Sequence, residues 1–168
     1  MIGAMFNLFQ MQILVGENNE ILRNKSQNVT KFDKALKKLI IEMKKTMEKN
    51  KGIGLAAPQV GVNQNIVIVT LDQKNQLTMI NPEILNYSDK KTIAEEGCLS
   101  LPGVWGNVER AKEIKVKFND EKNRTHILVL KDLNARIVQH EIDHLEGVLF
   151  TDKIIQKNLV EESFAIGE

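Results

Sequence analysis

His140 and His144, with Glu141 beside the first, give an H-E-x-x-H spacing within Gln139-His140-Glu141-Ile142-Asp143-His144. On a helix, residues four apart share a face, so the two imidazoles can hold one metal ion. Glu141 then lies near enough to work on a water at that metal. The chain has one cysteine, Cys98, inside Glu96-Gly97-Cys98-Leu99-Ser100. A thiolate added to two imidazoles leaves one coordination position open, the ligand count of a catalytic rather than a structural site. Plainer readings exist for each residue. Histidines at helical spacing also occur without metal, and a free cysteine is commonly a small buried hydrophobe.

The surroundings favour chemistry. From Asp132 to Phe150, Leu133, Ile137, Val138, Ile142, Leu145, Val148 and Leu149 spread apolar side chains around much of a helix. Such a helix is buried, and buried His and Glu need partners that a metal would supply. Gly97 before Cys98 suggests a tight strand or loop where backbone approaches something closely. A third segment, Gly52-Ile53-Gly54-Leu55-Ala56-Ala57-Pro58-Gln59, is small, Gly-rich and ends in an amide. It is no phosphate-binding loop, because no G-K-[ST] follows and no strand leads into a G-x-G-x-x-G. A helix stop explains Gly52 but not the whole octet.

Together the three segments resemble the peptide deformylase family, marked by G-φ-G-φ-A-A-x-Q, E-G-C-φ-S and H-E-φ-D-H with φ apolar. GIGLAAPQ, EGCLS and HEIDH stand here in that order, and the resemblance spans roughly residues 12 to 152. It implies Cys98, His140 and His144 as ligands of one divalent metal, most often ferrous iron, with nickel, zinc or cobalt able to substitute. It implies Glu141 as general base and acid. Gln59 and the backbone N–H of Leu99 become donors to the reacting carbonyl oxygen, and backbone around Ile53, Gly54 and Gly97 pairs with an extended substrate. The implied reaction removes the formyl group from N-formylmethionine on nascent polypeptides. The resemblance also implies a Glu96–Arg110 pair that stiffens the Cys98 loop, where the residues alone read equally as two unrelated surface charges. Asp143 reads either as a group orienting a ligand or neighbouring backbone or as a solvated or helix-capping carboxylate.

A formamide is a stable amide, so its hydrolysis needs an activated water and oxyanion stabilisation. The methionine side chain needs an apolar pocket. Leu133 and Ile137 precede His140 by seven and three residues, near its helical face, and are candidates for the pocket wall. Arg136 is read as a pocket-rim residue with its stem packed and its charge in water. Trp105 is read either as a wall for the side chain after methionine or as core.

The elements that must position these residues form a single domain over 1–168, with 1–10 read as a strand, a disordered extension or an alternative start upstream of Met11. Lys31 to Lys51 reads as a helix, with Phe32, Leu36, Leu39, Ile40, Met43 and Met47 at steps of three and four. Thr30 with Asp33 resembles a capping box and Gly52 suits the C-terminal cap. Ile66 to Leu71 is a β-branched strand, Leu77 to Ile80 its return, Ile114 to Phe118 a half-buried strand and His126 to Leu130 another. His126 is read as an exposed strand residue. The class is therefore α+β, and the resemblance implies antiparallel sheets packed around the buried HEIDH helix, with the N-terminal helix at about 31–50. After Asp152, Ile154, Ile155, Leu159 and Val160 read as a short amphipathic helix.

The net charge is +1, with both signs interspersed, which argues against a broad nucleic-acid or membrane surface. One cysteine excludes an internal disulfide framework and fits a reducing compartment. Met1 to Gln10 carries no basic n-region, so no signal peptide is read, and the expected location is cytoplasmic, with an organelle open. Beyond nascent peptides, the partner expectation is a transient ribosome contact, although the tail lacks the longer basic helix with which some relatives touch the ribosome. A zincin-like protease shares H-E-x-x-H but needs a third ligand downstream, usually Glu or His; no His follows His144, and Glu161, Glu162 and Glu168 lie in a short tail with no supporting motif. A formyl-peptide-binding homologue without turnover is the other alternative, against which Glu141 and Gln59 stand.

Overall fold

The computed structural model describes residues 11–155. Met1 to Gln10 and the expected tail positions Leu159 and Val160 lie outside them. The element order is α1 (Glu20–Arg23), α2 (Lys34–Lys49), β1 (Gly54–Ala56), β2 (Ile66–Leu71), β3 (Asn75–Tyr87), β4 (Lys91–Cys98), β5 (Leu101–Ala111), β6 (Glu113–Asn119), β7 (Thr125–Lys131) and α3 (Asp132–Leu145). Single 3₁₀ turns follow β1 at Ala57–Val60 and α3 at Phe150–Lys153.

Five strands form one antiparallel sheet in the order β1-β2-β3-β6-β7, and β4 with β5 forms a separate hairpin. β2 explains its own sequence. Val67 and Val69 face one core with Met79, Val116, Phe118, Ile137 and Val138. Ile66 and Ile68 face the other, with Leu36, Ile40, Met43 and Met47 of α2. A strand buried on both faces must be apolar throughout rather than alternating. The sheet thus carries α2 on one side and α3 on the other. The hairpin is fastened to α3 at Gln139, which accepts from the Ala111 N–H and donates back to the Ala111 carbonyl of β5.

α2 starts later than its periodicity suggests. Asp33 is the N-cap, its carboxylate accepting from the Leu36 N–H at 3.0 Å, so Thr30 and Asp33 do not form a box around Lys31. Its C-terminus closes at Asn50, and the left-handed residue is Lys51 rather than Gly52. The motif helix ends at Leu145 instead of Phe150. Gly147 then takes φ 72° and turns the chain so that Leu149 and Phe150 pack with Leu22, Leu101 and Val108. No helix among the described residues is long and apolar enough to cross a membrane.

Candidate active site

Two elements bring the donors together. α3 is buried continuously from Ala135 to Glu141 and again at His144. It presents His140 and His144 one turn apart, their rings edge to face at 5.1 Å between centroids. Cys98 ends β4, just before the Leu99–Ser100 turn into β5. The Cys98 Sγ lies 3.2 Å from His144 Nε2. Ligand atoms of Cys98, His140 and His144 all fall within 4.8 Å of one another. Tetrahedral bonds of about 2.0–2.3 Å would place such donors roughly 3.3–3.6 Å apart, so the cluster is the right size for one cation.

Three further observations fit a cation here. His140 Nδ1 lies 2.9 Å from the Glu96 carboxylate, which takes that N–H and leaves Nε2 as a donor atom. Burial lowers the pKa of His140, but hydrogen bonds with Cys98 and Glu96 outweigh it and raise it to about 10, so the surroundings call for positive charge. Burial, then the positive charges of His140 and Arg110, depress His144 well below its ordinary value, keeping it a neutral imidazole. A thiolate with two imidazoles suits zinc, iron, cobalt or nickel rather than calcium or magnesium.

Glu141 faces the same space. Its Oε2 is buried without a hydrogen-bond partner, and burial pushes the carboxyl up to about 7. A Cβ on Gly54 would overlap this carboxylate, so only glycine lets β1 approach so closely. Gln59 is oriented through its own 3₁₀ turn. Its Oε1 accepts from the Ala56 N–H at 2.8 Å, which turns Nε2 toward Cys98 Sγ at 3.5 Å and Ser100 Oγ at 3.1 Å. The Ser100 contact was not foreseen; its signal was a polar residue inside the EGCLS segment.

A cavity of about 550 Å³ opens above these groups. Ile53, Gly54, Gly97, Trp105, Leu133 and Ile137 all line it, together with Gln59, Cys98, Leu99, His140 and Glu141. Trp105 is not core. It is 65 % exposed, paired across the hairpin with Gly97, and its ring lies where a Cβ on Gly97 would meet it at 2.7 Å. Arg136 also departs from expectation. It is 8 % exposed with its charge paired inside the protein: Nη1 donates to Glu96 Oε1 at 2.7 Å and Nη2 to the Thr92 carbonyl at 2.7 Å. A guanidinium four residues before His140 shares its helix face, and that face here meets a carboxylate rather than water.

Glu96 is the hub beneath the site. Arg110 grips both its oxygens at 2.9 Å through a forked pair, and also donates to Asp143. Burial alone would raise the Glu96 carboxyl, but hydrogen bonds from Arg110 and His140 hold it well below the usual carboxylate range. Asp143 therefore acts on Arg110, with Lys153 closing the chain at 2.7 Å. His126 stands apart from the site, stacked on Phe118 and bonded to Asp120 at 3.0 Å.

The family model described as polypeptide deformylase matches residues 11–159. A Finegoldia magna peptide deformylase is 45% identical over 147 residues, covering 87% of this chain and 90% of that protein. One from Prochlorococcus marinus is 42% identical over 155 residues, 87% of this chain and 77% of that protein. The Thermotoga maritima peptide deformylase structure aligns with a TM-score of 0.84 at 41% identity, covering 88% of this chain and 99% of that one. A Met-Ala-Ser-bound Acinetobacter baumannii peptide deformylase aligns at 0.81 and 35% identity, over 86% of this chain and 98% of that one. With the three motifs folded into one cavity and these relatives matched across its length, the chain belongs to the polypeptide deformylase family, hydrolases that remove the N-formyl group from formylmethionyl polypeptides.

Proposed function

We propose that deformylation runs in the cavity above Cys98, His140 and His144, and that these three residues hold one divalent cation, ferrous iron in the cell with nickel, zinc or cobalt as substitutes. The observation that carries this reading is the meeting of three donor atoms within 4.8 Å beside a buried carboxylate with an unpartnered oxygen. When bound, such a cation supplies Lewis acidity to water and to the formyl carbonyl. Glu141 accepts the proton of the attacking water as its oxygen bonds to the formyl carbon. It then hands that proton to the nitrogen as the C–N bond breaks, releasing formate and a free amine. Gln59 Nε2 and the Leu99 N–H donate to the oxygen that becomes negative. Losing one such donor typically costs about 10²–10³ in rate.

Backbone at Ile53, Gly54 and Gly97 holds the peptide extended along the cavity. Leu133 and Ile137 form the apolar wall for methionine, and Trp105 faces the residue that follows. The Met-Ala-Ser-bound relative supports a short methionine-headed peptide as occupant. Nascent chains in the cytoplasm are then the substrate, met during a transient contact with the ribosome. The cation reading is tested by metal content after loading with nickel: one equivalent per chain in the wild type, lost in Cys98→Ser. A Cys98→Ser protein that keeps a full equivalent would favour the zincin-like arrangement instead.

A further inference from the structure

Cys98 and the two histidines sit on different elements, so something must fix the hairpin against the helix. The β4–β5 ladder cannot do this alone. Pairing runs in register from Lys91↔Ala111 to Gly97↔Trp105, then shifts to Cys98↔Leu101. Three residues of β5, Pro102 to Val104, have no partner across this irregularity, and Cys98 lies just beyond it. Glu96, in the last regular stretch, and Cys98 beyond it both meet α3, Glu96 at His140 Nδ1 and Cys98 at His144 Nε2.

Arg136 grips this stretch from α3. Beyond Glu96 and the Thr92 carbonyl, its Nη1 donates to the Val108 carbonyl at 2.9 Å and its Nη2 lies 3.3 Å from Thr92 Oγ1. One guanidinium therefore ties β4 and β5 to the helix that carries both histidines, one turn before His140. His140 meets the same Glu96 carboxylate from the same helix face. Arg110 belongs to the hairpin and reaches α3 at Asp143, beyond His140; Arg136 is the guanidinium that grips Glu96 from the helix itself.

We infer that Arg136 is a positioning residue of the metal centre: acting through Glu96, it fixes Cys98 relative to His140 and His144 and so sets how firmly the cation is held. This rests on the reading of those three residues as ligands. Outer-shell partners of ligating histidines typically alter metal affinity about 10–100-fold.

The test uses cobalt(II)-loaded full-length protein, read by cobalt loss to excess chelator and by the visible spectrum, whose thiolate-to-cobalt band reports Cys98. Arg136→Met should lose cobalt about 10–100-fold faster than wild type with a shifted band, and Glu96→Gln should behave alike. The double variant should be no faster than the faster single, because both changes break one joint. Wild-type retention and spectrum in Arg136→Met would overturn the inference, as would effects that add in the double variant. Should Arg136→Met fail to fold, Arg136→Lys keeps the charge but loses the fork, and should still shed cobalt faster than wild type; wild-type retention there also overturns it. A wild-type protein that takes up no cobalt would instead refute the ligand reading underneath.

Discussion

Gly54 and Glu141 occupy one small space, and the backbone of β1 reaches the carboxylate only because no Cβ intervenes. Gly54→Ala should therefore displace Glu141 while leaving the fold intact. A displacement of about 1 Å near reacting groups can cost about 10²-fold in rate. The expected result is a fall of that order in kcat/KM with a nearly unchanged melting temperature. Trp105 is the opposite case: exposed, and seated over Gly97 at the cavity wall. Trp105→Ala should cost little stability but change KM unevenly across formyl-Met-X peptides. Identical kinetics for every X would remove Trp105 from the substrate site. The i, i+4 spacing put His140 and His144 on one helix face, but only the resemblance carried by all three motifs joined Cys98, about forty residues away, to them. Arg136 was misread for a physical reason. Its helical position was inferred correctly, but whether a guanidinium meets water or a carboxylate depends on the hairpin packed against it, which local pattern does not show.

Elements whose burial repeats with their own period were readable. α2 shows its face as Leu36, Ile40, Met43 and Met47, and β2 shows burial on both sides as an unbroken apolar run. The β4–β5 hairpin was largely hidden. Much of β4 and the Pro102–Asn107 part of β5 is solvated, including Ile93, Val104 and Trp105, so no alternation marks it. The end of α3 was overrun because Val148, Leu149 and Phe150 continue its apolar character, the last two packing in a different core. Gly147 makes that break, with positive φ and the Arg23 carbonyl where a Cβ would go. Gly147→Ala should destabilise the protein by about 1–3 kcal/mol, measured by urea unfolding; an unchanged midpoint would contradict the turn's role. Nearby, the hydrogen bond from Arg23, helped by the Leu149 N–H, holds the Asp152 carboxyl below its usual range. Because the folded value is depressed, the ionised group stabilises above the unfolded pKa, near about 3.9, and this is lost as pH falls through the folded value. The stability gap between wild type and Asp152→Asn should hold steady through neutral pH and close below about pH 4. A gap that persists unchanged in stronger acid would contradict the pairing.

At the scale of the molecule, the sheet and the hairpin both pack on α3, and each delivers part of the site. β1 and its following turn bring Gly54 and Gln59, the hairpin brings Cys98 and Glu96, and the helix brings His140, Glu141 and His144. No one element holds a working set, which is why three short motifs far apart in sequence had to be read together. The account's central claim is that this assembly hydrolyses a formamide with Glu141 moving the proton. Formate release from a formyl-Met tripeptide tests it most directly, with anaerobically prepared, iron-loaded protein beside an equally loaded Glu141→Ala. Rapid release by the wild type, falling by several orders of magnitude in Glu141→Ala with its iron retained, is the expected result. Equal release by both, or none from a folded, iron-loaded wild type, would contradict it.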